Sequence, residues 1–227
     1  EKVYFQSHSE SVYHYVIHQN RDLWNHDVLV CHIKEEGLYV RALRKNVNTS
    51  PVVMLMEEEN FPHIKAEQGE GMSPGKKKEK DKAFCRLLMD WCEGRYVSSV
   101  YLLGDGFSGE WFPESLQYMC RNRRVFLGNN LFSKGACYGA KAKLEQTEEE
   151  KGYVFLGKDK VKANVGMHVV REGEEVYMAL LDAGKNWYET MKECDLILDR
   201  TDELDFIVTP LNGKNVRTVP MYLTGCP

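Results

Sequence analysis

Residues 101–112, YLLGDGFSGEWF, contain the strongest candidate for a ligand-binding loop in the chain. An apolar run ends there in Gly104, Asp105, Gly106 and Phe107. Because glycine has no Cβ, a ligand can lie directly against the backbone at such a place. The same residues also suit an ordinary turn, in which Asp105 would cap the residues that follow instead of binding a ligand hydroxyl group.

Two other groups of residues could bind a metal ion or act as a nucleophile and base. Glu10, His14 and His18 recur every four residues, which places two imidazoles and a carboxylate on one helix face where they could hold zinc or iron. Nothing in the sequence supplies a further ligand, so we interpret them as a polar, solvent-facing stripe. Cys31 and His32 are adjacent, and neighbouring side chains on a strand point to opposite faces. The sequence therefore predicts no catalytic residue and no metal site.

The composition argues against several classes of function. The 227 residues carry a formal net charge of −4, whereas nucleic-acid-binding proteins are usually basic. No apolar run approaches the roughly 18 residues of a membrane helix. The seven cysteines are odd in number and form no CxxC pair, which is typical of reduced, buried thiols in a cytoplasmic protein. We expect a cytoplasmic chain with no nucleic-acid or membrane partner, and the sequence does not predict its oligomeric state.

Hydrophobic periodicity and turn residues predict an α/β arrangement in the first part of the chain. The charged, glycine-bearing segment 57–82 is predicted to be a mobile loop or insertion. Small residues recur in KGACYGAKA, so another element can pack closely on that helix. The acidic segment 145–152 is the predicted boundary between an α/β domain, 1–146, and a β-rich domain, 153–227. Helices are predicted over about 7–25, 80–93, 113–121 and 131–144, and strands over about 27–33, 37–43, 51–56, 96–104 and 124–128.

The β-rich part consists of short runs of branched and aromatic residues separated by turn residues, including KECDLILD and ELDFIVTPL. This pattern predicts an antiparallel sheet or a sandwich. Trp187 and Tyr188 follow one of the turns, and two uses are open for them. They could stack on a sugar or a peptide, or one ring could fill the core while the other covers its edge, which is the more frequent arrangement.

The order of elements resembles the second half of the nucleotide-binding domain of an actin-like ATPase, followed by a β-domain as in DnaK-type heat-shock chaperones. FQSHSESVYHY, LGDGFSGEWF, RRVFLGNNLFSKGACYGA and LLDAGKNWYE look like a bacterial family of uncharacterised, chaperone-like proteins known mainly as a domain of unknown function. This narrower resemblance covers nearly the whole chain. The implied fold class is an α/β, actin-like ATPase subdomain followed by an all-β, sandwich-like domain.

The actin-like resemblance implies a role for the glycine loop. In that superfamily the strand that ends in glycines lines the adenosine pocket, and here the matching positions are Gly104, Asp105, Gly106 and Phe107. Asp105 stands where a second glycine is more usual. It could bind a ribose hydroxyl group, or it could cap the next turn.

The phosphate side departs from the superfamily pattern. Active relatives carry an aspartate and then glycines in the first hairpin, which orient metal-bound water and cradle phosphates. Here His32 stands at the acid position, and the glycine positions hold Lys34, Glu35 and Glu36. Histidine does not replace a carboxylate at magnesium, and glutamates repel a triphosphate. We therefore interpret this hairpin as structural.

These observations favour a non-catalytic fragment of a chaperone-like protein that binds a protein or peptide. No cofactor is expected for the fragment, whereas ATP and magnesium are expected ligands of a full-length parent. Two alternatives remain open. One is an active ATPase or sugar-kinase-type phosphotransferase, completed by a missing amino-terminal half. The other is an architectural module that oligomerises through sheet edges.

Overall fold

The computed structural model describes residue 3 and residues 5–66, 73–145, 147–198, 201–211 and 215–224. The chain divides into two compact units. The first contains Glu1–Lys45 and Met54–Lys151, and the second contains Asn46–Val53 and Gly152–Pro227. The division after Lys151 falls within the acidic segment. The sequence did not predict that residues 46–53 group with the second unit, since such a long-range association leaves no local pattern.

Fifteen helices and strands position the residues discussed below, and three 3-10 turns, Arg21–Leu23, Asp105–Phe107 and Trp187–Glu189, connect them. The helices are α1 (His8–Ile17), α2 (Pro74–Cys92), α3 (Pro113–Met119), α4 (Leu131–Leu144) and α5 (Glu148–Lys151). The strands are β1 (Asp27–Lys34), β2 (Gly37–Asn46), β3 (Val52–Phe61), β4 (Val97–Leu103), β5 (Arg124–Leu127), β6 (Tyr153–Leu156), β7 (Ala163–Arg171), β8 (Glu174–Leu181), β9 (Glu203–Pro210) and β10 (Arg217–Tyr222).

A six-stranded sheet has the order β5-β4-β1-β2-β3-β6. β1 and β2 form an antiparallel hairpin, whereas β4 is parallel both to β1 and to β5. Parallel neighbours need a crossover connection, and α2 precedes β4 while α3 joins β4 to β5. The prediction of a mixed α/β part is confirmed.

The main core lies on one face of this sheet. Leu29, Cys31 and Ile33 of β1 alternate with residues of the opposite face and are at most 2% exposed. They belong to the same cluster as Phe84 and Leu88 of α2. The predicted buried, reduced thiols are confirmed for Cys31, Cys85 and Cys92, but the prediction was wrong for Cys120, Cys137 and Cys194, which are exposed.

The opposite face of the sheet is covered by α1 and α4. The rings of Tyr15 on α1 and Tyr101 on β4 are 5.7 Å apart, and those of Phe132 on α4 and His32 on β1 are 5.2 Å apart. Ser7 caps α1 by accepting a hydrogen bond from the Glu10 N–H at 3.1 Å, and the predicted start of this helix near residue 7 is confirmed. Its predicted end was wrong.

The helix ends at Ile17 because Asn20 starts a separate 3-10 turn. The Asn20 side chain accepts a hydrogen bond from the Asp22 N–H at 3.1 Å, which is the local bonding pattern of a turn.

The prediction of a mobile loop over 57–82 was wrong at both ends. β3 continues to Phe61, and α2 begins at Pro74 with Ser73 as its N-cap. The charged composition concealed an amphipathic helix, because Asp81 and Phe84 are buried while the lysines lie toward solvent. Residues 67–72 lie outside the described part of the chain.

The second unit contains an antiparallel sheet with the order β10-β9-β7-β8. The predicted antiparallel sheet is confirmed, because β7 to β10 form one separate four-stranded sheet, whereas β6 belongs to the six-stranded sheet. The alternative of a sandwich stays a prediction. The run KECDLILD forms no strand at 192–198, and Ile197 is fully exposed there.

One face of this four-stranded sheet carries apolar cross-strand pairs. Cross-strand partners point to the same side, and the register pairs Met167 with Met178, Val169 with Val176, Val219 with Phe206 and Met221 with Leu204. Val176, Val219 and Met221 remain 36%, 41% and 43% exposed. We call the residues of these four pairs the apolar sheet face. The other face carries polar residues such as His168, Asp205 and Thr218, and it also exposes Val170, Tyr177 and Tyr222.

Candidate functional site

The carboxyl ends of the parallel strands β1, β4 and β5 meet at one edge of the six-stranded sheet. Ligands of α/β proteins commonly bind at such an edge. His32 lies near the end of β1, Gly104 follows β4 and Gly128 follows β5. The Gly128 N–H donates a hydrogen bond to the Leu102 carbonyl at 2.8 Å, which fixes the start of the loop into α4. We call this edge the strand-end edge.

The predicted glycine loop lies at the strand-end edge, and its glycines have a packing role there. Gly104 has a φ of 92°, and a Cβ on it would be 2.3 Å from the Ile33 carbonyl oxygen. A Cβ on Gly106 would be 2.3 Å from Ile33 Cγ2. The two glycines therefore let the loop lie against the end of β1. This packing contact explains both glycines without a ligand.

Phe107 belongs to the core. Its ring centroid is 5.6 Å from Phe84, 6.2 Å from Trp111 and 5.6 Å from Phe112. Asp105 is exposed, and its carbonyl accepts a hydrogen bond from the backbone N–H three residues later at 2.9 Å. Of the four predicted site residues, Asp105 alone presents a side chain that a ligand could reach.

His32 lies beside this loop, with its Cδ2 3.3 Å from where a Gly104 Cβ would be. Burial, with the Lys34, Arg41 and His8 charges as smaller contributions, lowers the pKa of His32 to about 4. The ring is therefore a neutral imidazole at pH 7. Its Nδ1 is buried and has no hydrogen-bond partner among the described residues.

A buried ion pair lies behind His32, on the same face of the sheet. Arg41 of β2 is only 4% exposed, and its Nε is 2.6 Å from Glu58 Oε2 on β3. The Ser9 hydroxyl of α1 donates to the same carboxylate oxygen at 3.1 Å. A buried charge needs such partners, so this pair anchors α1 to the sheet.

The hairpin turn between β1 and β2 carries the residues that replace the acid-and-glycine pattern. Lys34 pairs directly with Gly37, which leaves Glu35 and Glu36 as the two exposed turn residues. The Lys34 ammonium group lies 5.4 Å from the ring centroid of Tyr39. One cation and two carboxylates therefore occupy the turn, a set that does not form a neutral amide cradle for phosphate.

The small residues of α4 pack closely, as predicted. A Cβ on Gly135 would be 2.0 Å from the backbone oxygen of Ser11 on α1. One on Gly139 would be 2.1 Å from Gln6 Oε1 and 2.9 Å from His14 Cδ2. These two glycines let α1 and α4 approach each other.

The same helix contact corrects the interpretation of Glu10, His14 and His18 as a solvent-facing stripe. Glu10 and His14 are each only 9% exposed, with 4.0 Å between Glu10 Oε1 and His14 Nε2. His18 lies 3.2 Å from the Glu150 carboxylate and stacks on the Tyr138 ring with centroids 4.0 Å apart. Among the described residues no group of three His, Cys, Asp or Glu side chains is placed to hold a metal ion.

Sequence reasoning missed Asp81, which is buried and caps another helix. It lay where the predicted loop 57–82 overlaps the start of the predicted helix 80–93, and as a charged residue it was expected to be solvated. The available signal was its place one turn before the apolar positions Phe84 and Cys85, which puts it near their face of that helix.

The two aromatic residues after the turn in the second unit are both exposed. Trp187 is 65% exposed and Tyr188 is 52% exposed, with their ring centroids 5.7 Å apart in an edge-to-face arrangement. The prediction that one of them fills the core was therefore wrong.

The comparisons with known proteins identify two domains whose functions are not known. Residues 1–158 match the family described as "Family of unknown function (DUF5716) C-terminal", and residues 160–227 match "Domain of unknown function (DUF8552)". No curated protein matches the chain. No helix of the described residues is long and apolar enough to cross a membrane. Because the first match covers well over half of the sequence, the chain belongs to the DUF5716 C-terminal family.

Proposed function

We propose that this chain is a non-catalytic fragment of a chaperone-like protein, which binds extended apolar segments of other polypeptides through the apolar sheet face. That face is the observation that carries the proposal. A sheet with apolar residues on one side normally packs them against another layer. Val176 on β8 and Val219 and Met221 on β10 instead keep over a third of their surface in solvent, and exposed apolar surface on a sheet supports a protein-binding site.

The edges of the sheet support an extended ligand. β8 and β10 are its terminal strands, so each has one side without a neighbouring strand in the sheet order. A polypeptide can add to such an edge through backbone hydrogen bonds and place alternate side chains over the apolar face. On β10, Pro220 lacks an N–H, so we assign the added strand to β8.

The strand order of the first unit supports an actin-like subdomain. β3-β2-β1-β4-β5 is an antiparallel hairpin extended by parallel strands, and it agrees with the resemblance, which rested on the order of elements along the chain. The hairpin turn supports the absence of ATP hydrolysis, because Glu35 and Glu36 stand where phosphate-binding amides would be required. His32, at the acid position, is a neutral imidazole at pH 7.

The experiment is suppression of the aggregation of a chemically denatured model protein, followed by light scattering. We expect the intact chain to slow aggregation and Val219→Glu to remove the effect, because a charge on the apolar face repels apolar segments. Thr218→Glu is the matched control, since Thr218 is the adjacent exposed residue on the other face.

Equal suppression of aggregation by both variants, or no suppression by the parent chain, would overturn the proposal. So would a dimer that Val219→Glu dissolves, because the face would then serve self-association.

Nucleotide binding by a full-length parent is a second candidate, favoured by the exposed Asp105 at the strand-end edge. An ATPase or kinase activity would require the same binding. The experiment is the shift in melting temperature on adding ATP and magnesium, for this chain and for its longer parent. Stabilisation that Asp105→Ala removes supports the candidate, and no shift with either protein contradicts it. Gly106 is unsuitable for such a test, because any side chain there collides with Ile33.

A further inference from the structure

A cavity of about 300 Å³ lies in the first unit between the segment after β3 and the first turns of α2. This volume is at the lower end of the range of roughly 300–1,000 Å³ for small-molecule sites. The segment after β3 forms one wall and α2 forms the other. The residues that line the cavity are His63, Ile64, Lys65, Lys76, Glu79, Lys80 and Ala83.

The lining is cationic. Lys65, Lys76 and Lys80 outnumber the single carboxylate of Glu79, and His63 adds a further nitrogen donor or acceptor. The charges come from separate elements, so their convergence is a product of the fold and not of sequence adjacency alone. The adjacent exposed lysines Lys78 and Lys82, on the same helix, do not line the cavity.

The wall residues are held in position. Ile64 is 1% exposed, its N–H donates to the Phe61 carbonyl at 3.2 Å, and the Ala66 N–H donates to the Lys34 carbonyl at 3.0 Å. These bonds fix the segment that carries His63 and Lys65.

The opposite wall is also held. The Lys80 ammonium group lies 4.3 Å from the centroid of the Trp111 ring, and the Trp111 indole N–H donates to the Gly106 carbonyl at 2.7 Å. The Lys80 ammonium group is therefore held at the cavity, whereas the exposed side chains of Lys65 and Lys76 can turn toward an anion.

Helix stability does not explain these lysines. Lys76 and Lys77 lie in the first turn of α2, which holds no acidic residue. A positive charge there opposes the helix dipole and is unfavourable. Residues that break a local rule without a local gain are characteristic of functional sites.

We propose that this cavity binds an oligophosphate, either free or as the tail of a nucleotide. Several phosphate groups in a row match several separated ammonium groups, and lysine is a common phosphate ligand that acts as a point charge. The site goes beyond the binding of apolar polypeptide, and it depends on none of the residues of the apolar sheet face.

The experiment is isothermal titration calorimetry of the whole chain with tripolyphosphate, near physiological salt. We expect saturable binding that Lys65→Gln combined with Lys76→Gln weakens at least tenfold. The control is Lys78→Gln combined with Lys82→Gln, which removes the same charge from residues outside the cavity and should change affinity less than threefold. The melting temperature of each variant verifies its fold, and we expect loss of Lys76 to leave it unchanged or higher.

Parallel titrations with ATP and adenosine distinguish the two sources of phosphate. Tighter binding of ATP than of tripolyphosphate, with measurable binding of adenosine, would assign the cavity to a nucleotide. Equal affinities, with no binding of adenosine, would assign it to a free oligophosphate. Absence of tripolyphosphate and ATP binding, or equal weakening by the two double substitutions, would overturn the inference and leave the polypeptide-binding proposal untouched.

Discussion

Asp81 on α2 caps the first turn of α3 through Ser115. Its carboxylate accepts hydrogen bonds from the Ser115 N–H at 2.9 Å and from the Glu114 N–H at 2.8 Å, and the Ser115 hydroxyl donates to it at 2.5 Å. Asp81 is 4% exposed and Ser115 is fully buried. A carboxylate that α2 supplies thus satisfies the free amides of a helix 33 residues later in the sequence.

The first prediction follows from this cap. Asp81→Ala leaves the N–H groups of Glu114 and Ser115 without an acceptor, while the Ser115 hydroxyl keeps the Asp81 carbonyl at 3.0 Å, and we expect the substitution to lower the free energy of unfolding by about 1–3 kcal/mol. Urea denaturation followed by tryptophan fluorescence measures the loss. Asp81→Asn should lose less, because its side chain keeps one acceptor oxygen.

Lys82→Ala is the control for this substitution, since Lys82 is the next residue and is exposed. A loss as large as that of Asp81→Ala would mean that the effect comes from the helix and not from the cap.

The second prediction concerns the contact between α1 and α4. Gly135→Ala places a Cβ 2.0 Å from the Ser11 backbone oxygen, and backbone cannot move aside without shifting α1. We expect a destabilisation of about 1–3 kcal/mol, although alanine in a helix interior is otherwise favoured by about 1 kcal/mol. Thermal denaturation measured by circular dichroism tests this.

Gly139→Ala is the matched comparison, because its closest obstacle is the flexible end of the Gln6 side chain. We expect a smaller loss than for Gly135→Ala. The reverse order would contradict the packing assigned to the two glycines.

The elements that the sequence predicted well are those with a strong local pattern. α4 was predicted with its observed bounds, because Asn130 precedes it and its small residues recur at helical spacing. The hairpin of β1 and β2 was predicted because two apolar runs flank Glu35 and Glu36. Such signals depend on neighbouring residues alone.

The features that were missed depend on contacts between distant residues. Nothing near Asp81 shows that α3 needs a cap, and nothing near Lys65 shows that Lys76 faces it across a cavity. The buried state of Glu10 likewise depends on α4, which comes more than a hundred residues later. Charged residues were assigned to solvent because burial of a charge requires a partner that only the fold supplies.

The third prediction concerns the reactivity of the thiols. Burial raises the pKa of Cys31, so the reactive thiolate is scarce there, whereas Cys120, Cys137 and Cys194 are exposed. We expect iodoacetamide to modify the three exposed cysteines of the folded chain quickly and Cys31 only after denaturation. Peptide mass mapping over time measures each rate. Early modification of Cys31 would show that β1 opens locally.

The fourth prediction concerns stability in mild acid. Burial and the nearby cationic side chains lower the pKa of folded His32 to about 4, whereas an unfolded histidine titrates near about 6.5. Between these values the unfolded chain binds more protons, so the stabilisation is complete above about pH 6.5 and is lost as the pH falls toward 4. His8, whose pKa burial and the Lys34 charge also lower, contributes in the same direction.

The measurement is urea denaturation of the parent chain and of His32→Gln at several pH values from 7.5 to about 4.5. Glutamine does not titrate, so the variant should lose less of its free energy of unfolding over this interval than the parent does. His63→Gln is the control for exchanging an exposed histidine for glutamine. If the parent and His32→Gln lose stability in parallel, His32 is not held neutral by the fold, and its proton must be accommodated at the strand-end edge.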